Sequence, residues 1–212
     1  MTAQKDTNSP FSGLLGVVSS DVMDAARTAS EQNTAQSFRT AIRAVFAGSE
    51  AIIWYAKALT LRVAERAPTI YSPFEMAALR DETCTVVTSG KVVTRANFVP
   101  LSTSIKLIVA LLSRSLVSNA DFELGQASMS ALEKSLKVRH RLTHPKSAAD
   151  MGVTEGDFQG SMMSWATVLT VGLNVALEAD KRLGTGMFPW KGTDDTQAAG
   201  QGMITDRANL DE

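Results

Sequence analysis

Apolar residues recur at intervals of three and four along residues 35–66, the longest helical pattern in the chain. The positions of this stripe are Phe38, Ile42, Val45, Ile52, Ala56, Leu59 and Val63. Pro68 limits the C-terminal end of the segment, because proline cannot continue a helix. At a rise of about 1.5 Å per residue this helix runs roughly 45 Å, the full length of a helical bundle.

Five further segments have helical spacing, and they cover about residues 18–31, 73–80, 101–118, 123–143 and 155–183. Ser19, Ser20 or Asp21 is the predicted cap of the first of them. Pro145 closes the fourth, and Thr154 is the predicted cap of the last. The hydrophobic pattern therefore predicts a bundle of five or six helices.

β-branched residues cluster around a turn signal in the segment TCTVVTSGKVVTR, residues 83–95. Thr and Val dominate both halves, and Ser89-Gly90 lies between them. This pattern predicts a short β-hairpin inserted between helices. The predicted fold class is therefore all-α, with one small hairpin insert.

The two ends of the chain differ in composition from its middle. Residues 1–17 begin with a polar stretch and are predicted to be a flexible N-terminal arm. Residues 184–212 are Gly-rich and polar and are predicted to be a mobile tail. The folded domain then covers residues 18–183. Within the tail, the apolar cluster MFPW at 187–190 has three candidate docking surfaces: its own bundle, a second protomer or a partner protein.

Composition narrows the function classes. The 212 residues are 44% hydrophobic, so disorder throughout is excluded, and 21 Lys+Arg against 22 Asp+Glu give a net charge of -1. The chain is therefore not a basic nucleic-acid coat, and affinity for phosphate must come from a local cluster. A single cysteine, Cys84, excludes a disulfide framework and a multi-Cys zinc site.

Localisation is predicted to be cytoplasmic. One cysteine fits a reducing compartment. The N-terminus lacks a basic region leading into a long apolar stretch, so no secretory signal is predicted. We expect no membrane span either, because no uncharged apolar run reaches about 18 residues.

Both histidines of the chain, His140 and His144, lie in a strongly basic segment. Residues 134–146 contain no acidic residue and five basic ones, Lys134, Lys137, Arg139, Arg141 and Lys146. Such a cluster at a helix end suits phosphate. Cations in the last turn of any helix are also favoured by its dipole, by about 0.3–1 kcal/mol each. Charge alone leaves both interpretations open.

Arg139 and His144 form an R-x4-H motif, with a polar residue after the arginine and Pro145 after the histidine. This motif resembles that of the HEPN (higher eukaryotes and prokaryotes nucleotide-binding) superfamily. The order of long helix, hairpin-bearing insert, helix, motif helix and closing helix over residues 18–183 is also similar to a HEPN-like helical bundle. The chain differs from the commonest family pattern at His140, where the family usually has Asn or Asp.

The resemblance implies a metal-independent endoribonuclease that acts as a homodimer on an RNA substrate. Two motif helices would face each other across the two-fold axis and line one composite site. It also implies a toxin or antiphage effector, for which an antitoxin or regulatory protein is a candidate partner. No cofactor, metal or membrane is implied. The alternative is a non-catalytic HEPN module that binds nucleotide, RNA or a protein partner.

Within this resemblance Arg139 and His144 are the candidate catalytic residues. Imidazole gains and loses a proton near neutral pH and suits proton transfer at the ribose 2′-hydroxyl. A guanidinium fork suits the charge that develops on the phosphorane. Because the residue before a proline is disfavoured in the α region, His144 is expected to leave the helical path. The long Arg139 side chain is then expected to converge on it.

Several further residues are candidates for supporting roles. His140 and Glu50 are candidate supporting residues of the site; Glu50 would orient a motif residue, or else is a surface carboxylate or a partner of Arg43 or Lys57. The candidate RNA- and phosphate-binding residues are Arg141, Lys137, Lys146 and Arg43.

Three other residue groups have simpler interpretations. The i,i+4 spacing of His140 and His144 also suits metal ligands, but no third ligand is evident and the flanking cations would repel a divalent ion. No metal is therefore predicted. Trp54 and Tyr55 are predicted to be core or interface aromatics. Cys84 has no acid–base partner in the sequence and is not predicted to be a nucleophile.

Overall fold

A computed structural model describes residues 10–66, 71–89, 91–115 and 124–184. Within these ranges the chain forms six α-helices, one antiparallel hairpin and one 3₁₀ turn, so the fold is all-α with a short hairpin, as predicted. The helices are α1 (Pro10–Gln32), α2 (Ala35–Arg66), α3 (Pro73–Leu79), α4 (Leu101–Ser115), α5 (Gln126–Thr143) and α6 (Glu155–Leu183). The strands are β1 (Glu82–Val86) and β2 (Val92–Ala96), and the 3₁₀ turn is Ala148–Met151.

Helix α2 is the centre of the bundle and packs against the other five helices. The second core helix, α6, packs against α2, α4 and α5. The side chains buried between them are mainly β-branched or leucine, among them Val45, Ile52, Ile105, Ile108, Leu132, Val168, Val171 and Val175. Each such burial contributes about 1.5–3 kcal/mol before conformational entropy is counted. The predicted bounds of both core helices are confirmed.

The two ends of α6 follow the signals in its sequence. The Thr154 hydroxyl accepts a hydrogen bond from the Asp157 backbone N–H, and the Asp157 carboxylate accepts one from the Thr154 N–H. This reciprocal pair satisfies backbone donors that the first helical turn leaves free. Gly184 ends the helix in the left-handed region at φ 61°, which glycine adopts without strain.

Helix α1 begins at Pro10, well before the predicted start near residue 18. The predicted flexible arm of residues 1–17 is therefore helical from residue 10, and the proposed caps at 19–21 lie inside the helix. The physical reason is that Leu15 and Val18 pack against the main core. Proline is well tolerated in the first turn of a helix, so Pro10 marks a start rather than a break.

Some predicted bounds fall outside the described residues. Helix α4 is described to Ser115, so its predicted extension to 118 lies in the undescribed segment 116–123. The predicted start of α5 at about 123 is too early, because the described residues 124 and 125 are not helical and Gly125 is the N-cap. Residues 1–9, and the tail from 185 on with its MFPW cluster, also lie outside the described ranges.

The hairpin is held against α2 by one polar residue. Asp81 precedes β1 with φ 54°, and its carboxylate accepts a hydrogen bond from Lys57 Nζ at 2.5 Å. The same carboxylate oxygen accepts from the Val99 N–H at 3.3 Å, while the Asp81 carbonyl accepts from the Asn97 N–H at 2.7 Å. The segment after β2 is therefore fixed beside the middle of α2.

Helix α6 is the one described helix long and apolar enough to cross a membrane, judged by length and composition alone. Half of its most apolar stretch, 50%, is buried inside the bundle. A core helix passes the same test, so this is weak evidence for a span.

Close approach of α6 to α2 depends on Gly172. A Cβ added there would lie 2.4 Å from Cγ2 of Ile52, a buried side chain whose β-branch restricts its movement. We expect Gly172→Ala to destabilise the protein by about 1 kcal/mol. The steric clash of the added methyl group costs about 1–3 kcal/mol, which exceeds the gain of about 1 kcal/mol from the higher helix propensity of alanine.

Gly160→Ala in the same helix is the matched control. Its added Cβ would meet Ser135 Oγ at 3.5 Å, an ordinary contact, so it should stabilise by up to about 1 kcal/mol. Thermal unfolding should separate the two variants by several degrees, at about 2–4 °C per kcal/mol for a chain of this size. Equal stabilisation by both would contradict the close α2–α6 approach.

Candidate active site

The R-x4-H motif ends helix α5. His144 is the C-cap residue, with φ -127° and ψ 61°, so it leaves the helical path as predicted. Its backbone N–H donates to the His140 carbonyl at 3.0 Å and closes the last turn. The side chain of His144 is exposed. A backbone hydrogen bond thus fixes the position of His144, while its imidazole is open to solvent.

The two histidines lie together. Their ring centroids are 5.3 Å apart and the ring planes are tilted by 57°. Both side chains are exposed, and the i,i+4 spacing along α5 accounts for their proximity. Two imidazoles are therefore available on one face at the end of the helix.

Arg139 faces helix α2, where its guanidinium Nη2 donates to Glu50 Oε1. The two side chains are 37% and 43% exposed, and the guanidinium carbon lies 6.0 Å from the centre of the Phe46 ring. Among the described residues Glu50 is the one hydrogen-bond partner of this side chain. Glu50 therefore contacts the motif arginine rather than Arg43 or Lys57, and Arg139 extends toward α2.

A cavity of about 390 Å³ adjoins the Arg139–Glu50 pair. Its polar lining includes Glu50, Arg139, His140 and the Lys57–Asp81 pair, and the aromatic side chains of Trp54 and Phe98 also line it. His144 is not part of the lining, although its ring contacts that of His140. No local pattern in the sequence indicates this cavity, because α2, α4, α5 and the segment after β2 line it jointly.

The predicted phosphate-binding residues differ in their surroundings. Arg141 Nη2 lies 3.4 Å from Asp157 Oδ2, so this arginine faces the start of α6. Lys137, Lys146 and Arg43 have exposed side chains. The side chains of these three cations are therefore exposed, while Arg141 is engaged in an ion pair.

The Asp150 carboxylate orders the loop after the motif. It accepts hydrogen bonds from the backbone N–H groups of Lys146 and Ser147, each at 2.8 Å. These bonds, that of Lys146 foremost, hold the pKa of Asp150 below its ordinary value. Because the folded-state pKa is depressed, this stabilisation is present above the unfolded-state pKa and is lost as pH falls through the folded value. The loop is therefore held at neutral pH.

Metal ligation finds no support among the described residues. No group of three or more His, Cys, Asp or Glu side chains there is arranged to hold a metal ion. His140 and His144 lack a third ligand within that part of the chain, and Cys84 is exposed on the hairpin.

Comparison with known proteins adds no family. No family model, curated protein or solved structure matches this chain. The α2–α5 geometry and the motif resemblance are therefore the two grounds for a function.

Proposed function

We propose that this protein is a metal-independent endoribonuclease of HEPN type. The observation that carries the proposal is the exposed pair His140–His144 at the end of α5, next to an arginine that Glu50 holds. Two imidazoles and one guanidinium fork supply the groups that RNA cleavage through its own 2′-hydroxyl requires.

The reaction has one nucleophile and one leaving group. A histidine accepts the proton of the ribose 2′-hydroxyl, and the 2′-oxygen attacks the adjacent phosphorus. The bond from phosphorus to the 5′-oxygen breaks, and a second histidine donates a proton to that oxygen. The products are a 2′,3′-cyclic phosphate and a 5′-hydroxyl. Arg139 binds the non-bridging oxygens, where charge accumulates in the transition state.

The second proton-transfer group has two candidate sources in this proposal. It is either His140 of the same chain or His144 of a second protomer. We favour the homodimer, with the two-fold axis near residues 139–144, because an isologous interface supplies a second copy of every group. Glu50 then offsets part of the basic charge that the dimer brings together.

The biological setting proposed from the resemblance is that of a toxin or antiphage effector acting in the cytoplasm, restrained by an antitoxin or regulatory protein. The second candidate function is a non-catalytic binding module. One observation favours it: the Glu50 carboxylate partly neutralises Arg139, the cation expected to meet phosphate.

End-group analysis in EDTA tests the chemistry. We expect wild-type protein to cut single-stranded RNA without divalent metal and to leave cyclic or 3′-phosphate and 5′-hydroxyl ends. A chimeric substrate carrying one 2′-deoxynucleotide at the cut site should resist cleavage there, since its nucleophile is missing. Cutting of that substrate, or 5′-phosphate ends that depend on Mg²⁺, would rule out the mechanism. No cleavage of any RNA would favour the binding module.

A further inference from the structure

Two large aromatic side chains stand exposed at the cavity next to Arg139. Trp54 is 67% exposed and Phe98 is 82% exposed, and both line the cavity. Of the two positions predicted for Trp54, its exposure excludes the core; the interface position stays a prediction. Exposure of two large aromatic rings to water is unfavourable for the folded protein. Their position at the cavity points to a ligand with a flat apolar face that would cover them.

Both aromatics are held in place by the backbone around them. Trp54 lies one helical turn after Glu50 on α2 and one turn before Lys57, so the three residues share a face. Phe98 lies between Asn97 and Val99, whose backbone N–H groups both donate to Asp81. The backbone on both sides of Phe98 is therefore anchored to Asp81.

The interior of the cavity combines an apolar floor with polar groups. Leu101 and Leu136 supply apolar surface, while the Ser104 hydroxyl and the Lys57–Asp81 pair supply hydrogen-bonding groups. The Lys57 side chain is only 7% exposed. A volume of about 390 Å³ lies in the range of small-ligand pockets. A flat, polar-edged ring system matches this lining.

We infer that the cavity binds one unpaired nucleobase of a single-stranded RNA, stacked on Trp54 and Phe98, with the adjoining phosphate at Arg139. This inference rests on the proposed function and deepens it, because it names single-stranded RNA as the substrate class. A base paired in a duplex cannot enter such a cavity, whereas stacking on aromatic side chains tolerates any base. The exposed cations Lys137 and Lys146 flank the end of α5 and suit the backbone phosphates that follow.

Binding to a non-cleavable probe tests the inference separately from catalysis. The probe is a fluorescein-labelled 2′-O-methyl RNA, measured by anisotropy with full-length protein, as a single strand and as a duplex. We expect tighter binding of the single strand. Trp54→Ala and Phe98→Ala should each weaken its binding about tenfold or more. Trp54→Phe should retain most of the affinity, because phenylalanine keeps a stacking face.

Phe74→Ala is the matched control, since Phe74 is 85% exposed on α3 and does not line the cavity. It should leave the affinity unchanged. The inference is overturned if Trp54→Ala and Phe98→Ala behave like Phe74→Ala, or if wild-type protein binds the duplex equally well. Light scattering gives a further outcome that overturns it: either substitution converts a dimer to a monomer, while binding of the single strand is not weakened. That result would assign the aromatics to an interface between copies.

The two proposals fail in distinguishable ways. Aromatic-dependent binding of the single strand without cleavage of any RNA leaves the nucleobase site standing and removes the ribonuclease. Cleavage that survives both aromatic substitutions, with affinity unchanged, leaves the ribonuclease standing and removes the nucleobase site.

Discussion

His144→Ala is expected to slow RNA cleavage at least about 100-fold, the lower range for loss of a general acid or base. The fold should be unaffected, because the only hydrogen bond that the structure gives His144 comes from its backbone N–H, which alanine retains. The side chain is exposed, so stability should change by no more than about 0.5 kcal/mol. Initial cleavage rates in EDTA, with circular dichroism on the same samples, measure both expectations.

His140→Ala is the control one turn away. If a second protomer supplies the other histidine, this variant should keep cleavage within about tenfold of wild type. If both proton transfers occur within one chain, it should lose as much as His144→Ala. Cleavage by His144→Ala at the wild-type rate would show that His144 transfers no proton in the reaction.

The bounds of the two core helices could be predicted because residues near each helix end signal where the helix begins or stops. Thr154 caps the start of α6, apolar residues repeat along its length, and Gly184 ends it. Helix α2 has an apolar face throughout and a proline shortly after Arg66. Such signals act within a few residues of each other, so the sequence alone displays them.

Helix α1 and the cavity depend on contacts distant in the sequence. The first turns of α1 contain two glycines and gain their apolar contacts from the rest of the bundle, which no local pattern displays. The Lys57–Asp81 pair joins positions 24 residues apart, and the Arg139–Glu50 pair joins positions 89 apart. The sequence allowed Glu50 to be proposed as a partner of the motif. That it pairs with Arg139 rather than Arg43 or Lys57 follows from the packing of α5 against α2.

Arg139→Lys is expected to lower cleavage about 100-fold while leaving the fold intact. Lysine keeps the charge but is a point donor, whereas the guanidinium can donate to Glu50 with one nitrogen and to phosphoryl oxygens with others. The pair is 37% and 43% exposed, so its loss should cost less than about 1 kcal/mol of stability. Arg141→Lys is the matched control on the same helix, since that arginine pairs with Asp157 instead.

Glu50→Gln separates the two roles open to the carboxylate. The amide oxygen can still accept a hydrogen bond from Arg139, but the negative charge is gone. If Glu50 positions the arginine for catalysis, the variant should cleave more slowly at saturating RNA, with probe affinity little changed. If Glu50 instead restrains a binding module, removal of the charge should raise affinity for the probe and create no cleavage.

The result that would contradict the arginine prediction is an Arg139→Lys variant that cleaves at the wild-type rate. It would show that the planar fork, and with it the proposed contact to the phosphoryl group, is not needed.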